Sequence, residues 1–275
     1  MGHSRFHYAV VGQPVKHSKS PLIHSLFAKQ CGIDLVYEAM EVTEDNFDTF
    51  IESFFAETGA GLNITVPYKE KAFALASSCS PRANLAKAVN TLFLDDENLI
   101  CGENTDGPGL ITDIKSNHGF ALENSRILIL GAGGAVRGVL AALISEQLTS
   151  ITIANRTLSR AETLRTEFEP FTEINVETYE SIGSSQFDLI INGTSLGLTG
   201  DVPPIEADLM SDNCCCYDMM YGDSDTAFVR WAKQHGATLA LDGLGMLVEQ
   251  AAESFSLWHG IRPETASIIS DLRNS

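Results

Sequence analysis

Short apolar runs alternate with segments of helical periodicity from about residue 120 onward. This regular alternation of strand and helix is the pattern of a doubly wound α/β sheet. Helices are predicted after the first strand and over Leu158–Phe168 and Thr226–His235. The strands predicted in this half are Ile127–Leu130, Ser150–Ala154, Phe187–Ile191, Cys214–Tyr221 and Ala237–Leu241.

The first 120 residues also mix strands and helices, but less regularly. Helices are predicted from Ser20-Pro21, over Glu44–Phe55, from Tyr68 and from about Asp106. Two more helices are predicted at the end of the chain, from Gly243 to about His259 and over Glu264–Leu272. The strands predicted in the first half are Phe6–Val11, Leu35–Met40, Leu62–Val66, a segment within Leu85–Leu94, and Leu99–Cys101.

A glycine-rich turn follows the strand Ile127–Leu130, and a helix follows the turn. Strand, tight turn and helix in this order place a pyrophosphate on a helix N-terminus. Gly131 permits the sharp turn, and Gly133 removes a Cβ where the backbone approaches phosphates. The third glycine of the dinucleotide fingerprint falls at Val136. The turn therefore predicts a dinucleotide site, although α/β turns also carry glycines for geometry alone.

The end of the next strand indicates which dinucleotide binds. A NAD site normally carries an acidic residue there for the ribose 2′-hydroxyl, whereas this chain has Asn155, Arg156 and Thr157. Arg160 follows four residues later, a spacing that predicts a shared helical face. Because a guanidinium binds phosphate through paired donors, the pattern predicts NADP(H). The alternative is an ordinary arginine at a helix start.

Polar residues cluster before the first helix. Ser18 and Ser20 alternate with Lys16, His17 and Lys19. We expect Ser20 to be the N-cap, with Pro21 in the first turn. Capping explains Ser20 but leaves the basic residues unexplained in an acidic chain. Hydroxyls beside a helix N-terminus bind carboxylates, so the cluster predicts an anion site.

Four further polar residues lie where strands meet helices or interrupt apolar segments. Lys69 lies at a strand-to-helix junction, where α/β proteins place site residues, although most lysines are solvated. Asn90 interrupts an apolar segment, so its amide needs a partner in the sheet or in a ligand. Asp106 opens a helix, as an N-cap, a first-turn acid or a site residue. Thr65 is either a strand threonine with internal partners or a ligand contact.

Composition and charge narrow the functional classes. The chain has 275 residues, of which 44% are hydrophobic and 20% charged, with a formal net charge of -18. An acidic surface repels nucleic acids and anionic membranes. The polar segment Met1–His7 lacks a signal-peptide core, so we expect a cytoplasmic protein. Cys214–Cys216 lie in an apolar stretch and predict buried thiols, and no metal-binding spacing occurs among the cysteines and histidines.

Nine separated motifs resemble those of one family, the shikimate dehydrogenases of aromatic amino-acid and chorismate biosynthesis. They occur in the family's order and span almost the whole chain. The Gly-Ala-Gly-Gly-Ala turn is the family's own form and explains the absent third glycine. The motifs begin at Ser18, Asn63, Ala88, Asn104, Gly131, Asn155, Asn192, Tyr217 and Asp242.

The resemblance implies an α/β fold with two domains. An N-terminal substrate domain would comprise residues 1–105, completed by C-terminal helices in 243–275. A Rossmann-type NADP domain would comprise residues 106–242, with the active site in the cleft between the domains. The implied reaction is the reversible reduction of 3-dehydroshikimate to shikimate with NADP(H).

The resemblance also implies the roles of individual residues. Lys69 would be the general acid/base, paired with Asp106. The implied substrate-binding residues are Ser18, Ser20, Thr65, Lys69, Asn90, Asp106, Tyr221 and Gln250. The implied cofactor-binding residues are Gly131, Ala132, Gly133, Gly134, Ala135, Asn155, Arg156, Thr157, Arg160, Ser195, Met219, Gly243 and Met246.

Two alternatives remain open from the sequence. One is a quinate/shikimate dehydrogenase that prefers NAD, against which Arg156 argues. The other is a catalytically silent regulatory module that binds NADP or shikimate, against which the presence of both Lys69 and Asp106 argues. A homodimer is compatible with the sequence, which leaves the oligomeric state open.

Overall fold

The structure, a computed structural model, describes residues 6–274 except for the side chain of Leu198, so Met1–Arg5 lie outside the described residues. The chain forms two compact units. One runs to Gly109 and resumes at Val248, and the other is Leu110–Leu247. These divisions fall inside two helices rather than at residues 105 and 242, because the first turn of each helix is held by the unit that precedes it along the chain.

Ten helices, labelled α1 to α10, occur within the described residues. None of them is long and apolar enough to cross a membrane. Their bounds are α1 Ser20–Cys31, α2 Phe47–Glu57, α3 Lys69–Leu75, α4 Pro81–Ala86, α5 Asp106–Thr112, α6 Gly134–Leu143, α7 Leu158–Phe168, α8 Ala227–Gln234, α9 Leu244–His259 and α10 Ala266–Arg273.

The first unit contains a mixed six-stranded sheet in the order β2-β1-β3-β5-β6-β4. β1 is parallel to β2 and β3, whereas β5 is antiparallel to β3 and β6. The C-terminal ends of β1, β3 and β6 therefore lie at the same edge as the start of β5. The strands are β1 Phe6–Gly12, β2 Leu35–Glu41, β3 Gly59–Ile64, β4 Ser78–Cys79, β5 Thr91–Leu94 and β6 Ile100–Glu103.

Two predicted boundaries in this unit are wrong. Lys19, and not Ser20, occupies the N-cap of α1, and the Ser18 hydroxyl accepts a hydrogen bond from the Ser20 N–H at 3.2 Å. Part of the segment Leu85–Leu94 is helical, since its first two residues end α4. The Ser80 hydroxyl caps α4, and Lys87 ends it in a left-handed conformation. Asn90 therefore precedes β5 rather than lying within it.

The second unit contains six parallel strands in the order β12-β11-β10-β7-β8-β9. The order reverses at β7, which is the doubly wound arrangement that the alternation predicted. The short strand β9 was not predicted, because its sequence contains no distinct apolar run. Strand β11 ends three residues earlier than predicted. The strands are β7 Arg126–Leu130, β8 Ser150–Ala154, β9 Ile174–Glu177, β10 Phe187–Asn192, β11 Met210–Asp218 and β12 Leu239–Leu241.

The core of this unit consists of strands buried on both faces. Such strands read as nearly continuous apolar runs, which is why β7, β8 and β10 were predictable. Cys214–Cys216 lie in β11, are buried and carry free thiols, so that prediction is confirmed.

An aromatic cluster in the first unit encloses an uncharged histidine. His24 in α1 is fully buried and stacks on Tyr37 with ring centroids 4.2 Å apart. Phe27 packs edge-on against the same imidazole. Neither ring nitrogen has a hydrogen-bond partner among the described residues. Burial, with a smaller effect from His259, lowers the pKa of His24 from 6.5 to about 3.

The stability of the protein should depend on this imidazole below neutral pH. Between pH 6.5 and about 3, His24 is protonated in the unfolded chain but not in the folded one. The free energy of unfolding should therefore fall by about 2 kcal/mol through this group on acidification to about pH 5. Urea denaturation of His24→Phe should show a loss smaller by that amount, whereas identical pH dependence in both proteins would contradict the assignment.

Candidate active site

Lys69 and Asp106 form a close ion pair in the first unit. Lys69 is the first residue of α3, after β3, and Asp106 is the first residue of α5, after β6. The Lys69 Nζ lies 2.5 Å from the Asp106 Oδ2. The side chains are 23% and 10% exposed, so solvent reaches the pair but surrounds neither group. This arrangement provides a proton donor and an adjacent carboxylate at the shared sheet edge.

Asn90 fixes the position of the Asp106 carboxylate. Its Nδ2 donates to the Asp106 Oδ1 at 2.9 Å and to the Thr105 Oγ1 at 2.9 Å. Its Oδ1 accepts the Thr105 N–H at 2.8 Å. The Gln250 Oε1 lies 3.4 Å from the same Nδ2. The structure thus brings together four of the residues that the resemblance assigned to the substrate: Lys69, Asn90, Asp106 and Gln250.

A buried polar network behind Asn90 was missed from the sequence. The Asn63 Nδ2 donates to the Asn90 backbone oxygen at 3.2 Å and to the Ser254 Oγ at 2.9 Å. The Asn63 Oδ1 accepts the Tyr37 hydroxyl at 2.7 Å. Asn63 is a polar residue inside an apolar strand, so it carried the same signal as Asn90. Ser254 follows Gln250 by four residues on α9, a spacing that places it on the same helical face.

Ser18, Ser20 and Thr65 follow β1 and β3 at the same sheet edge. The Thr65 N–H donates to the Val11 oxygen at 2.9 Å. A Cβ on Gly12 would lie 2.4 Å from the Thr65 Cγ2, so the close contact between the backbone at position 12 and the Thr65 side chain requires glycine. Ser20 is mostly buried. The loop geometry thus places the three hydroxyl residues on adjacent connections.

The glycine turn of the second unit has the geometry of a phosphate cradle. Gly131 has φ +105°, a conformation that side chains rarely adopt. A Cβ on Gly133 or Gly134 would meet no described atom within 4 Å, and both residues and Ala135 are exposed. The first N–H groups of α6 therefore face open space with the positive end of the helix dipole. These residues, together with Ala132, fit a pyrophosphate.

In the dinucleotide fingerprint the third glycine permits close packing of the helix on the sheet, and in this chain Gly193 permits it instead. Val136 is buried, and its Cγ2 would lie 2.4 Å from a Cβ on Gly193, the residue after β10. The absent glycine at position 136 is therefore compensated by one on the neighbouring strand end. The sequence could not show this pairing, because it depends on the sheet order.

Arg156 and Arg160 are exposed beside the C-terminal end of β8, and neither forms a salt bridge with a described residue. Arg156 precedes α7, whose N-cap is Thr157, so the predicted shared helical face is wrong. The spacing rule applies only within a helix. The Asn155 Nδ2 donates to the Thr157 oxygen at 2.8 Å and orders this turn. Two exposed guanidinium groups thus concentrate positive charge at this strand end in a chain of net charge -18.

Met219 and Gly243 lie against each other after β11 and before α9. A Cβ on Gly243 would be 2.4 Å from the Met219 oxygen, and the Gly243 N–H donates to the Met220 oxygen at 2.9 Å. Asp218 supports this turn by accepting from the Met220 N–H at 3.1 Å and the Thr226 hydroxyl at 2.6 Å. Burial raises the pKa of Asp218 above its ordinary value.

Three other predicted site residues belong to the second unit. Ser195 is exposed after β10, whereas Met246 is mostly buried in the first turns of α9. Tyr221 lies three residues beyond the end of β11 and is partly exposed. Burial raises the pKa of its phenol.

Comparison with known proteins matches three successive parts of the chain to shikimate dehydrogenase domains. Family descriptions match in order as shikimate dehydrogenase substrate binding domain over residues 10–92, shikimate / quinate 5-dehydrogenase over 113–197, and shikimate 5'-dehydrogenase C-terminal domain over 243–270. The shikimate dehydrogenase (NADP(+)) of Aeromonas salmonicida is 53% identical, and the match covers 98% of this chain and 97% of the relative. The chain belongs to the shikimate dehydrogenase family.

Other members agree in length and fold. The shikimate dehydrogenase (NADP(+)) of Alkalilimnicola ehrlichii is 52% identical, with 97% of this chain and 98% of the relative covered. The crystal structure of shikimate 5-dehydrogenase from Thermus thermophilus in complex with NADP(H) and shikimate is 32% identical. It superposes with a TM-score of 0.85 over 98% of this chain and 99% of that one. The family that the motifs indicated is therefore confirmed.

Proposed function

We propose that this chain catalyses the reversible, NADP-dependent reduction of 3-dehydroshikimate to shikimate, a step in chorismate and aromatic amino-acid biosynthesis. The observation that carries the proposal is the Lys69–Asp106 pair, fixed by Asn90, in a member of the shikimate dehydrogenase family. The relatives named above as NADP(+) enzymes, and the Thermus thermophilus complex with NADP(H) and shikimate, support the same substrates.

Lys69 is the general acid/base in this proposal. NADPH, when bound, supplies the hydride. Charge then develops on the carbonyl oxygen of the substrate, and an ammonium group at that oxygen both stabilises the charge and donates a proton. In the oxidation direction Lys69 takes the proton from the hydroxyl. Asp106, 2.5 Å from the Lys69 Nζ, orients the ammonium.

The first unit holds the substrate in this proposal. Ser18 and Ser20 bind the carboxylate. The amide of Asn90 and the carboxylate of Asp106 are already fixed to each other, so little ordering is needed when a substrate hydroxyl joins them. The other residues that hold ring hydroxyls are Thr65 and Gln250.

The second unit holds NADP(H) in this proposal. The backbone of Gly131–Ala135 binds the pyrophosphate at the start of α6. Arg156 and Arg160 bind the 2′-phosphate, together with Asn155 and Thr157. The nicotinamide end is bounded by Ser195, Met219, Gly243 and Met246. Six free cysteines fit a reducing compartment, and we propose the cytoplasm.

Quinate is a second candidate substrate, because the family description matched over residues 113–197 names it beside shikimate. A preference for NAD is disfavoured, since Arg156 stands where an acidic residue would bind the 2′-hydroxyl. A catalytically silent module is disfavoured by the intact contact between Lys69 and Asp106. Turnover with each combination of substrate and cofactor separates these possibilities.

Removal of the Lys69 amine should abolish turnover and spare cofactor binding. Wild type should reduce NADP⁺ with shikimate, and Lys69→Ala should be slower by about 10²–10⁴-fold. NADPH affinity should stay within about twofold, because the Lys69 side chain contributes no contact to the cofactor in this proposal. Lys71→Ala is the control, since Lys71 lies on the same helix and pairs with Asp48.

The assay follows NADPH absorbance, and a fluorescence titration gives NADPH affinity. A folded wild type that does not oxidise shikimate with NADP⁺ would refute the proposed function. A Lys69→Ala variant as fast as Lys71→Ala would refute the acid/base role alone.

Removal of the Arg156 guanidinium should change cofactor preference. Arg156→Ala should lower kcat/KM for NADP⁺ by about 10- to 100-fold, the effect of a lost charge-assisted hydrogen bond. The value for NAD⁺ should change by about twofold at most, because NAD⁺ lacks the 2′-phosphate. Arg165→Ala, on α7 but paired with Glu162, should leave both values unchanged. A wild-type preference for NAD⁺ would overturn the assignment.

A further inference from the structure

Tyr217 in β11 is fully buried, and its phenol joins the sheet to another segment of the second unit. The hydroxyl donates to the Asp113 Oδ2 at 2.7 Å. This hydrogen bond connects β11 to the residue that follows α5, and the Asp113 carboxylate in turn lies against Gly245 in the first turn of α9.

Asp113 is the first residue of a π-helical turn, Asp113–Asn117, that continues from α5. Its side chain is 1% exposed, and its Oδ1 accepts the Asn117 Nδ2 at 2.9 Å. The His118 Nε2 lies 3.7 Å from the Oδ1. A buried carboxylate is costly unless donors surround it. The start of a helix supplies donors and a partial positive charge.

The backbone of α9 approaches this carboxylate very closely. A Cβ on Gly245 would lie 2.0 Å from the Asp113 Oδ1, so only glycine permits the approach. On the other side, a Cβ on Gly243 would lie 2.4 Å from the Met219 oxygen. The first turn of α9 is therefore packed between the end of β11 and the Asp113 carboxylate.

We propose that Asp113 and Tyr217 are positioning residues that hold the first turn of α9, and with it Gly243 and Met246, in the geometry that bounds the nicotinamide end of NADP(H). The inference rests on the proposed function, which assigns Gly243 and Met246 to that end of the cofactor. Asp113 and Tyr217 act through α9 and touch neither ligand. Both side chains are buried, and the hydrogen bond between them satisfies the Tyr217 hydroxyl and one oxygen of Asp113.

The test separates the two ends of the cofactor. Tyr217→Phe keeps the ring and removes only the hydroxyl that donates to Asp113. Affinity is measured for NADPH and for adenosine 2′,5′-bisphosphate, which has the adenosine and the 2′-phosphate but no nicotinamide. Cys216→Ala is the matched control, because Cys216 is buried in the same strand and packs in the cluster that contains Met210 and Phe228.

Tyr217→Phe should weaken NADPH roughly tenfold and lower kcat roughly tenfold, the scale of one lost hydrogen bond to a charged group. Adenosine 2′,5′-bisphosphate affinity and the KM for shikimate should stay within about twofold. Asp113→Asn should also weaken NADPH binding and lower kcat. In the double variant, the fold loss of each quantity should be smaller than the product of the losses in the two single variants. Cys216→Ala should weaken neither nucleotide by more than about twofold.

Equal weakening of both nucleotides, or no weakening of either, would overturn the positioning role. Should Asp113→Asn not fold, Tyr217→Phe alone decides. The nucleotide comparison needs no turnover, so it reports on positioning even if the wild type fails to oxidise shikimate. That failure would refute the proposed function separately.

Discussion

The contact between Lys69 and Asp106 is the constraint on which the first unit depends. Two opposite charges 2.5 Å apart and partly shielded from water need fixed positions and further hydrogen bonds. The sheet supplies the positions, because β1, β3 and β6 end at the edge where β5 begins. Asn90 supplies the hydrogen bond that fixes the carboxylate. These hydrogen bonds fix the Lys69, Asn90 and Asp106 side chains relative to one another.

The sequence predicted the second unit well and the first unit only in part. Buried parallel strands read as apolar runs, so β7, β8 and β10 were found from the pattern alone. In the first unit, the predicted N-cap of α1 and the predicted strand around Asn90 were wrong. The Ser18 hydroxyl and the left-handed conformation of Lys87 set local geometry that periodicity does not encode. Boundaries depend on such single contacts, whereas element types depend on longer patterns.

The candidate site was predictable as a set of residues but not as a geometry. Periodicity placed Lys69 and Asp106 at helix starts, and only the family resemblance paired them. Asn63 and Ser254 were missed because they act through partners distant along the chain. Arg156 was predicted to be a phosphate ligand from the absence of an acidic residue, which is a purely local signal. The prediction that Arg156 and Arg160 share a helical face was wrong, since Arg156 lies before the helix.

The central claim is that Lys69 and Asp106 act on the substrate oxygen as one unit. A double-mutant cycle on kcat/KM for shikimate, with Lys69→Ala, Asp106→Ala and the double variant, measures this coupling directly. The double variant should be about as slow as the slower single variant, because either change disables the pair. Rate losses that multiply in the double variant would instead show that the two residues act independently.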